Sequence, residues 1–205
     1  MSTEVRKQVL EVARLMYNKN MVNTFEGNIS ACENNRIYIT PSQICKGILE
    51  EGMIPVCDLE GKLIEGTYKP SSEIKLHLPI YKDRSDVKAV VHAHSPYATA
   101  FAIANKPIES KAYPELIMLF DKIPLAAYGT PSTAEIYADV RNYIMDYDVI
   151  LLANHGILAV GSDPFDAFFK LEAAESIAKA LFLARQLGGE KDLPPDKLME
   201  LYDMH

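Results

Sequence analysis

Three histidines close apolar runs in this chain. His92 and His94 follow Val87-Lys88-Ala89-Val90-Val91, and His155 follows Val149-Ile150-Leu151-Leu152-Ala153-Asn154. Alternate side chains of a β-strand share a face, so His92 and His94 should point the same way, their Cα atoms about 6.6 Å apart at a rise of about 3.3 Å per residue. Two imidazoles at that separation can converge on one ion. Three neutral imidazoles around an open coordination position make a catalytic zinc arrangement. Each histidine also has a plainer reading. His-x-His can be two satisfied polar residues at a strand end, and His155, between Asn154 and Gly156, can serve a turn, because its neighbours tolerate unusual backbone angles. What joins the three is their place at the ends of apolar strands, where a scaffold is rigid and a ligand exposed. His77 is expected to pack or hydrogen-bond within its own segment, and His205 is terminal.

Glu73 is the acidic residue that stands out. It reads either as a first-turn carboxylate favoured by a helix dipole or as part of a site. The serines before it raise the second reading. Ser71 and Ser72 at a helix start, together with Gly27-Asn28, could cradle a phosphate through hydroxyls and free N–H groups. A phosphate site beside a metal and a carboxylate would be an active site.

The elements that must position these residues follow from periodicity. Val5, Val9, Val12, Ala13 and Met16 recur at helical spacing and predict an N-terminal helix. Glu26-Gly27-Asn28-Ile29-Ser30 breaks that pattern. Arg36 to Thr40 alternates as a strand stopped by Pro41, and Met53 to Leu59 is a second strand candidate. The segment after Ser71-Ser72 reads two ways: Ile74, Leu76, Leu78 and Ile80 alternate as in a strand, whereas Ile74, His77, Leu78 and Tyr81 fit a helix; a serine N-cap favours the helix, with Pro79 distorting it. Pro96 to Ala102 reads as a helix with proline in its first turn. Ser132-Thr133-Ala134-Glu135 is a capping box, continued as a helix through Ile136, Val140, Ile144 and Tyr147. Val149 to Ala153 and Ile157 to Val160 are strand-like. Phe165 to Leu187 is a long helix ending at Gly188-Gly189, and the last residues are polar and punctuated by proline. Parallel βαβ alternation is not consistent, so the expectation is a single domain over residues 1–205, an antiparallel-rich sheet with helices on its faces.

Composition bounds the function. The chain has 205 residues, 48% apolar and 24% charged, enough for one domain with a sizeable core. Its net charge of -7 argues against general nucleic-acid binding, which needs a basic surface. It leaves room for a local phosphate site built from backbone and hydroxyls. Cys32, Cys45 and Cys57 form no C-x-x-C pair, and an odd count fits a reducing cytoplasm. No apolar run approaches the length that spans a bilayer, and the N-terminus opens directly into an amphipathic pattern, so a cytosolic protein with nothing to cleave is expected.

The ordered motifs Gly27-Asn28-Ile29-Ser30, Thr40-Pro41-Ser42, Pro70-Ser71-Ser72-Glu73, Val91-His92-Ala93-His94-Ser95 and Asn154-His155-Gly156 resemble the class II aldolase/adducin family, in particular its L-fuculose-1-phosphate aldolase branch. The resemblance implies a three-layer α/β/α fold around a central, largely antiparallel sheet, and a homotetramer with active sites near subunit interfaces. It matches His92, His94 and His155 to zinc ligands; Mn2+ or Co2+ could take the same place. It matches Glu73 to a residue that completes the empty metal shell and then acts as acid/base, and Asn28, Ser71 and Ser72 to phosphate contacts, with Gly27 giving backbone access. Ser42 and Gln43 fall where the family usually has a Thr/Ser-Gly pair, so Gln43 is a departure. Tyr113 matches a tyrosine that protonates the aldehyde, reaching a neighbour's site, or is a loop aromatic at the interface. Tyr128 and the tail, including Tyr202, would border the sugar end.

The implied activity is reversible, zinc-dependent aldol cleavage of a ketose 1-phosphate, such as L-fuculose 1-phosphate, to dihydroxyacetone phosphate and an aldehyde. Related members are pentulose-phosphate 4-epimerases, which usually carry aspartate in place of Glu73, and methylthioribulose-1-phosphate dehydratases. Adducin-type members lack the metal histidines and are non-catalytic oligomeric binding modules; the intact trio here speaks against that role.

Overall fold

The computed structural model describes residues 2–204. Met1 and the terminal His205 lie outside them. Helix α1 (Ser2–Asn18) leads into β1 (Asn28–Glu33) and β2 (Arg36–Ile39), followed by the short strands β3 (Val56–Cys57) and β4 (Leu63–Glu65). Then come α2 (Ile74–Asp83), β5 (Ala89–Ala93), α3 (Pro96–Ile103), α4 (Pro114–Phe120), β6 (Leu125–Ala126), β7 (Val149–Leu152) and β8 (Gly156–Gly161). The long α5 (Pro164–Gln186) and α6 (Pro195–Tyr202) complete the chain.

The strands form one eight-stranded sheet in the order β4-β3-β2-β1-β5-β8-β7-β6. All neighbours are antiparallel except β6 and β7. Alternation along β5 sorts the two faces. Ala89, Val91 and Ala93 join the core under α1, α3 and α5, whereas Val90 joins the core under α2. The result is the expected three-layer α/β/α arrangement around a largely antiparallel sheet. Among the described residues, no helix is long and apolar enough to cross a membrane.

Several local expectations change. The stretch from Asn28, read as a pattern break, is the central strand β1. It alternates apolar Ile29 and Ala31 with polar Asn28 and Ser30, and the polar side is buried too, so it lacks the polar-out signature of a half-exposed strand. The capping box does not start an α-helix. Thr133 caps a 3-10 turn at Ala134–Tyr137, and a second 3-10 turn follows at Val140–Asn142. Asp139 sits between them, accepting the backbone N–H of Ala127 and the side-chain amide of Asn142, bonds that compete with a regular helix. Ile136, Val140 and Ile144 are buried nonetheless. At the start of α2 the cap position is Glu73, not a serine, and its side chain makes no capping bond. The helix runs through Pro79 without a break. The short elements β4, β6, α4 and α6 carry too little periodicity to be read from sequence.

Candidate active site

The sheet and two zipped loops bring the separate motifs together. Asn28 on β1 lies opposite His92 on β5, and His92 lies opposite Leu158 on β8. His92 has the parity of Val90, so its ring points to the α2 side. His94 lies one residue beyond the end of β5, and His155 occupies the tight turn between β7 and β8. Asn154 takes the left-handed backbone region that this turn requires, at φ 57°, which asparagine tolerates. Gly156 is needed for another reason. A Cβ there would lie 2.4 Å from the Ala93 carbonyl oxygen and 2.9 and 3.2 Å from ring carbons of His94 and His92.

The two serine-bearing loops are joined by an antiparallel bridge between Pro41 and Pro70. Ser42 N–H donates to the Lys69 carbonyl at 2.9 Å, and Ser71 N–H to the Thr40 carbonyl at 3.1 Å. Thr40 in turn exchanges bonds with Ile29, its backbone N–H donating at 2.9 Å and its hydroxyl accepting at 3.2 Å. That fastens both loops to the Gly27-Asn28 corner. Gly27 has φ 70°, and a Cβ on it would meet Val22 and the His92 carbonyl.

One cavity of about 540 Å³ is lined by Gly27, Asn28, Ser42, Gln43, Ser71, Ser72, Glu73, His94 and His155. Sequence reasoning had not placed Phe25, Glu26, Lys46 and Ser132 there, yet all four line it as well. Ser132 has a left-handed backbone and its hydroxyl lies 2.8 Å from that of Ser72. Gln43 departs from glycine in its side chain but keeps the backbone a glycine would adopt, at φ 59°. Lys46 is 2% exposed and, among the described residues, has no hydrogen-bond or ion-pair partner. Its charge is felt by Glu26 and Glu73. Tyr113 precedes α4, half-buried against the core, and is not part of the cavity wall. Tyr202 is on α6, and Tyr128 is exposed.

The three imidazoles converge. Their ring centroids are 4.7 to 5.0 Å apart, and one ligand atom from each lies within 4.8 Å of the others. His92 Nδ1–H donates to the Ile157 carbonyl at 2.9 Å, which leaves Nε2 with only a lone pair. That bare nitrogen faces His94 Nε2 at 3.1 Å and Glu73 Oε2 at 3.3 Å, while His155 Nε2 faces Glu73 Oε1 at 3.4 Å. The His92 lone pair and the Glu73 carboxylate turned on one another repel unless a proton or a cation lies between them. These three short separations are close to what that cation needs: ligand atoms about 2.0 to 2.2 Å from a tetrahedral zinc lie roughly 3.3 to 3.6 Å from one another. The residues present therefore form a group able to hold a divalent metal.

Burial supports neutral, metal-ready rings. It holds His92 well below the usual histidine value, with His94, His155 and His77 adding repulsion, and it lowers His155 to about 4. Burial raises the Glu73 carboxyl, opposed by the Asn28 hydrogen bond and by His94 and Lys46. His77, expected to bond within its own segment, instead reaches β1: Nε2 lies 2.6 Å from Asn28 Oδ1 and Nδ1 lies 2.7 Å from Ser30 Oγ. A polar residue facing the sheet from an otherwise apolar helix side was the available signal.

Complete burial lowers His77 to about 3. A histidine depressed on folding binds its proton in the unfolded chain first, so stability rises with pH through this range. The metal-free protein should hold its full stability above about 6.5 and lose it progressively as pH falls toward about 3. The raised Glu73 opposes this trend, but it is one group against three. Carboxylates held down by ion pairs, such as Asp86 at about 2, contribute their loss only at lower pH. Thermal melts of metal-free protein between pH 7 and 5 check this; a flat melting temperature there would contradict neutral buried histidines.

The family model for the Class II Aldolase and Adducin N-terminal domain matches residues 7–182. An L-fuculose phosphate aldolase of Methanococcus maripaludis is 36% identical over 180 residues, covering 88% of this chain and 97% of that protein. A 3-oxo-tetronate 4-phosphate decarboxylase of Haemophilus influenzae is 32% identical over 182 residues, covering 86% of each. A solved structure of an L-fuculose 1-phosphate aldolase superposes with a TM-score of 0.90 at 29% identity, covering 100% of this chain and 97% of the other. Sheet order, histidine cluster and these likenesses agree: the chain belongs to the class II aldolase and adducin family, and within it to the enzymes, as an aldolase-type lyase.

Proposed function

We propose that the protein is a zinc-dependent aldolase that reversibly cleaves a ketose 1-phosphate, L-fuculose 1-phosphate or a similar deoxyketose phosphate, to dihydroxyacetone phosphate and an aldehyde. The observation that carries this reading is the bare His92 Nε2 pointing at His94 and Glu73 on the wall of a cavity lined by serines and a buried lysine. His92, His94 and His155, with Glu73 in the empty site, would hold the ion, with Mn2+ or Co2+ as substitutes. When bound, such an ion acts as a Lewis acid that stabilises negative charge on substrate oxygens.

The chain's own groups supply the rest. Asn28, Ser42, Ser71 and Ser72 bind the phosphate, Gly27 and Gln43 shape its approach, and Lys46 supplies the positive charge that the hydroxyls and amides lack. That grip sets the reacting carbon against Glu73. Breaking the carbon–carbon bond leaves an enediolate, and Glu73 gives its carbon a proton; in the synthetic direction Glu73 takes that proton back. Tyr113, reaching a neighbouring subunit of a homotetramer, exchanges a proton with the aldehyde oxygen. A second reading is decarboxylation of a 3-oxo acid phosphate, favoured by the likeness to the Haemophilus enzyme. It too breaks a carbon–carbon bond next to a carbonyl and needs the same phosphate grip. Epimerase and dehydratase chemistry of the family also remain within reach of this site.

A panel decides. Purified protein is assayed on L-fuculose 1-phosphate, L-rhamnulose 1-phosphate, 5-deoxyribulose 1-phosphate, methylthioribulose 1-phosphate and a 3-oxo-tetronate 4-phosphate, with and without chelator. The expected result is release of dihydroxyacetone phosphate that stops on chelation and returns with zinc. Carbon dioxide release without dihydroxyacetone phosphate selects the second reading. Borohydride should leave the enzyme active; substrate-dependent inactivation by it would move the chemistry to Lys46.

A further inference from the structure

Behind Glu73 runs a buried chain of hydrogen bonds that the proposed chemistry does not use. Tyr81 Oη lies 2.6 Å from Ser30 Oγ, which lies 2.7 Å from His77 Nδ1. His77 Nε2 lies 2.6 Å from Asn28 Oδ1, and Asn28 Nδ2 lies 2.8 Å from Glu73 Oε2. Ser30 and His77 are fully buried and Asn28 nearly so, leaving water no place in the chain.

The protons of this chain can be assigned from its site end. An ionised carboxylate only accepts, so the Asn28 atom facing Glu73 is nitrogen and the one facing His77 is oxygen. An amide oxygen only accepts, so His77 Nε2 carries the ring proton. A neutral imidazole then has a bare Nδ1, which accepts from the Ser30 hydroxyl. The Ser30 oxygen is left to accept from Tyr81. Every link donates toward Glu73. Reversing the chain would turn the Asn28 oxygen onto the carboxylate.

We propose that His77 is a positioning residue: by holding the Asn28 oxygen, it makes Asn28 present only N–H groups to the cavity, one to Glu73 and the other to an oxyanion of the substrate. The second N–H has no partner among the described residues, and Asn28 lines the cavity. An asparagine free to flip would spend part of its time with an acceptor against both the carboxylate and the phosphate. His77 thereby acts on anion binding through Asn28, while Ser30 and Tyr81 fix the ring tautomer. This inference rests on the phosphate cradle of the proposed function.

The test separates the two. In 15N-histidine-labelled protein the His77 ring should show a protonated Nε2 and a bare Nδ1, with or without inorganic phosphate. A protonated Nδ1 would overturn the assignment. Inorganic phosphate binding is then measured without turnover, using wild type, His77→Leu, His77→Gln and the milder Ser30→Ala. His77→Leu should weaken phosphate by about ten- to a hundredfold, the scale of one hydrogen bond to a charged group, and raise KM more than it lowers kcat. His77→Gln, which can donate to Asn28 and accept from Ser30, should recover most of the affinity. Ser30→Ala should weaken phosphate severalfold at unchanged metal content and give a mixed ring tautomer. Unchanged phosphate affinity in folded His77→Leu, or in Ser30→Ala if the leucine variant does not fold, overturns the proposal. A wild type that does not bind inorganic phosphate overturns the cradle itself, and the ring nitrogens then decide the orientation of Asn28 alone.

Discussion

Glu73→Gln should lower turnover by about a hundred- to ten-thousandfold, the usual contribution of a positioned general acid–base group, while the protein still binds metal and phosphate. The argument is one of shape against chemistry. Glutamine has the size of glutamate and can still accept the Asn28 N–H that now reaches Oε2 at 2.8 Å. Three imidazoles remain to hold an ion. What is lost is a carboxyl group whose affinity for a proton is raised by burial beside a cavity, the property a base near neutrality needs. Solvent exchange of the carbon-bound protons of dihydroxyacetone phosphate reads this step alone. It should stop in the variant, and exchange at the wild-type rate would place the base elsewhere.

Gly156→Ala should cost about a hundredfold or more in metal affinity and in activity, the scale of a misplacement near 1 Å in a site, although the residue carries no chemistry. Its added methyl would sit 2.4 Å from the Ala93 carbonyl oxygen and close to the rings of His94 and His92. The carbonyl cannot step aside cheaply, because Ala93 is paired with Ile157 at the end of β5. Relief of the clash therefore shifts the strand end and the turn that carry His94 and His155, and the methyl crowds the rings of His94 and His92, whose Nε2 atoms lie 3.1 Å apart. Overpacking of this kind also costs on the order of 1–3 kcal/mol of stability. Metal titration alongside thermal melting checks both effects. A variant that melts lower but binds metal as well as wild type would show that the turn supports the fold and not the histidine geometry.

The histidine trio was legible because ligands at strand ends leave a compact signature: an apolar run, then a histidine. Ser71, Ser72, Glu73, Asn28 and the Thr40-Pro41-Ser42 loop were legible as motifs. Their assembly depends on a bridge between Pro41 and Pro70 that no periodicity announces. Lys46 was invisible for a related reason. A lysine in a loop reads as solvated surface, and only the packed neighbours show it to be buried on a cavity wall. His77 looked local because a helix suggests neighbours along its own turns, whereas its bonds cross to β1, 47 and 49 positions away. The strand β1 was missed because both of its faces are covered, one by core and the other by this polar network. The broken turns at residues 134–142 show the opposite error: a capping box and helical spacing were present, but Asp139 bound the backbone of Ala127.

The central claim is that His92, His94 and His155 hold one divalent ion beside Glu73. Metal stoichiometry tests it most directly, measured by equilibrium zinc titration of metal-stripped protein and of its His94→Ala variant at the same pH. The account predicts close to one ion per chain in the wild type and a large loss of affinity in the variant. Equal binding by both, or no binding by the wild type, would contradict it.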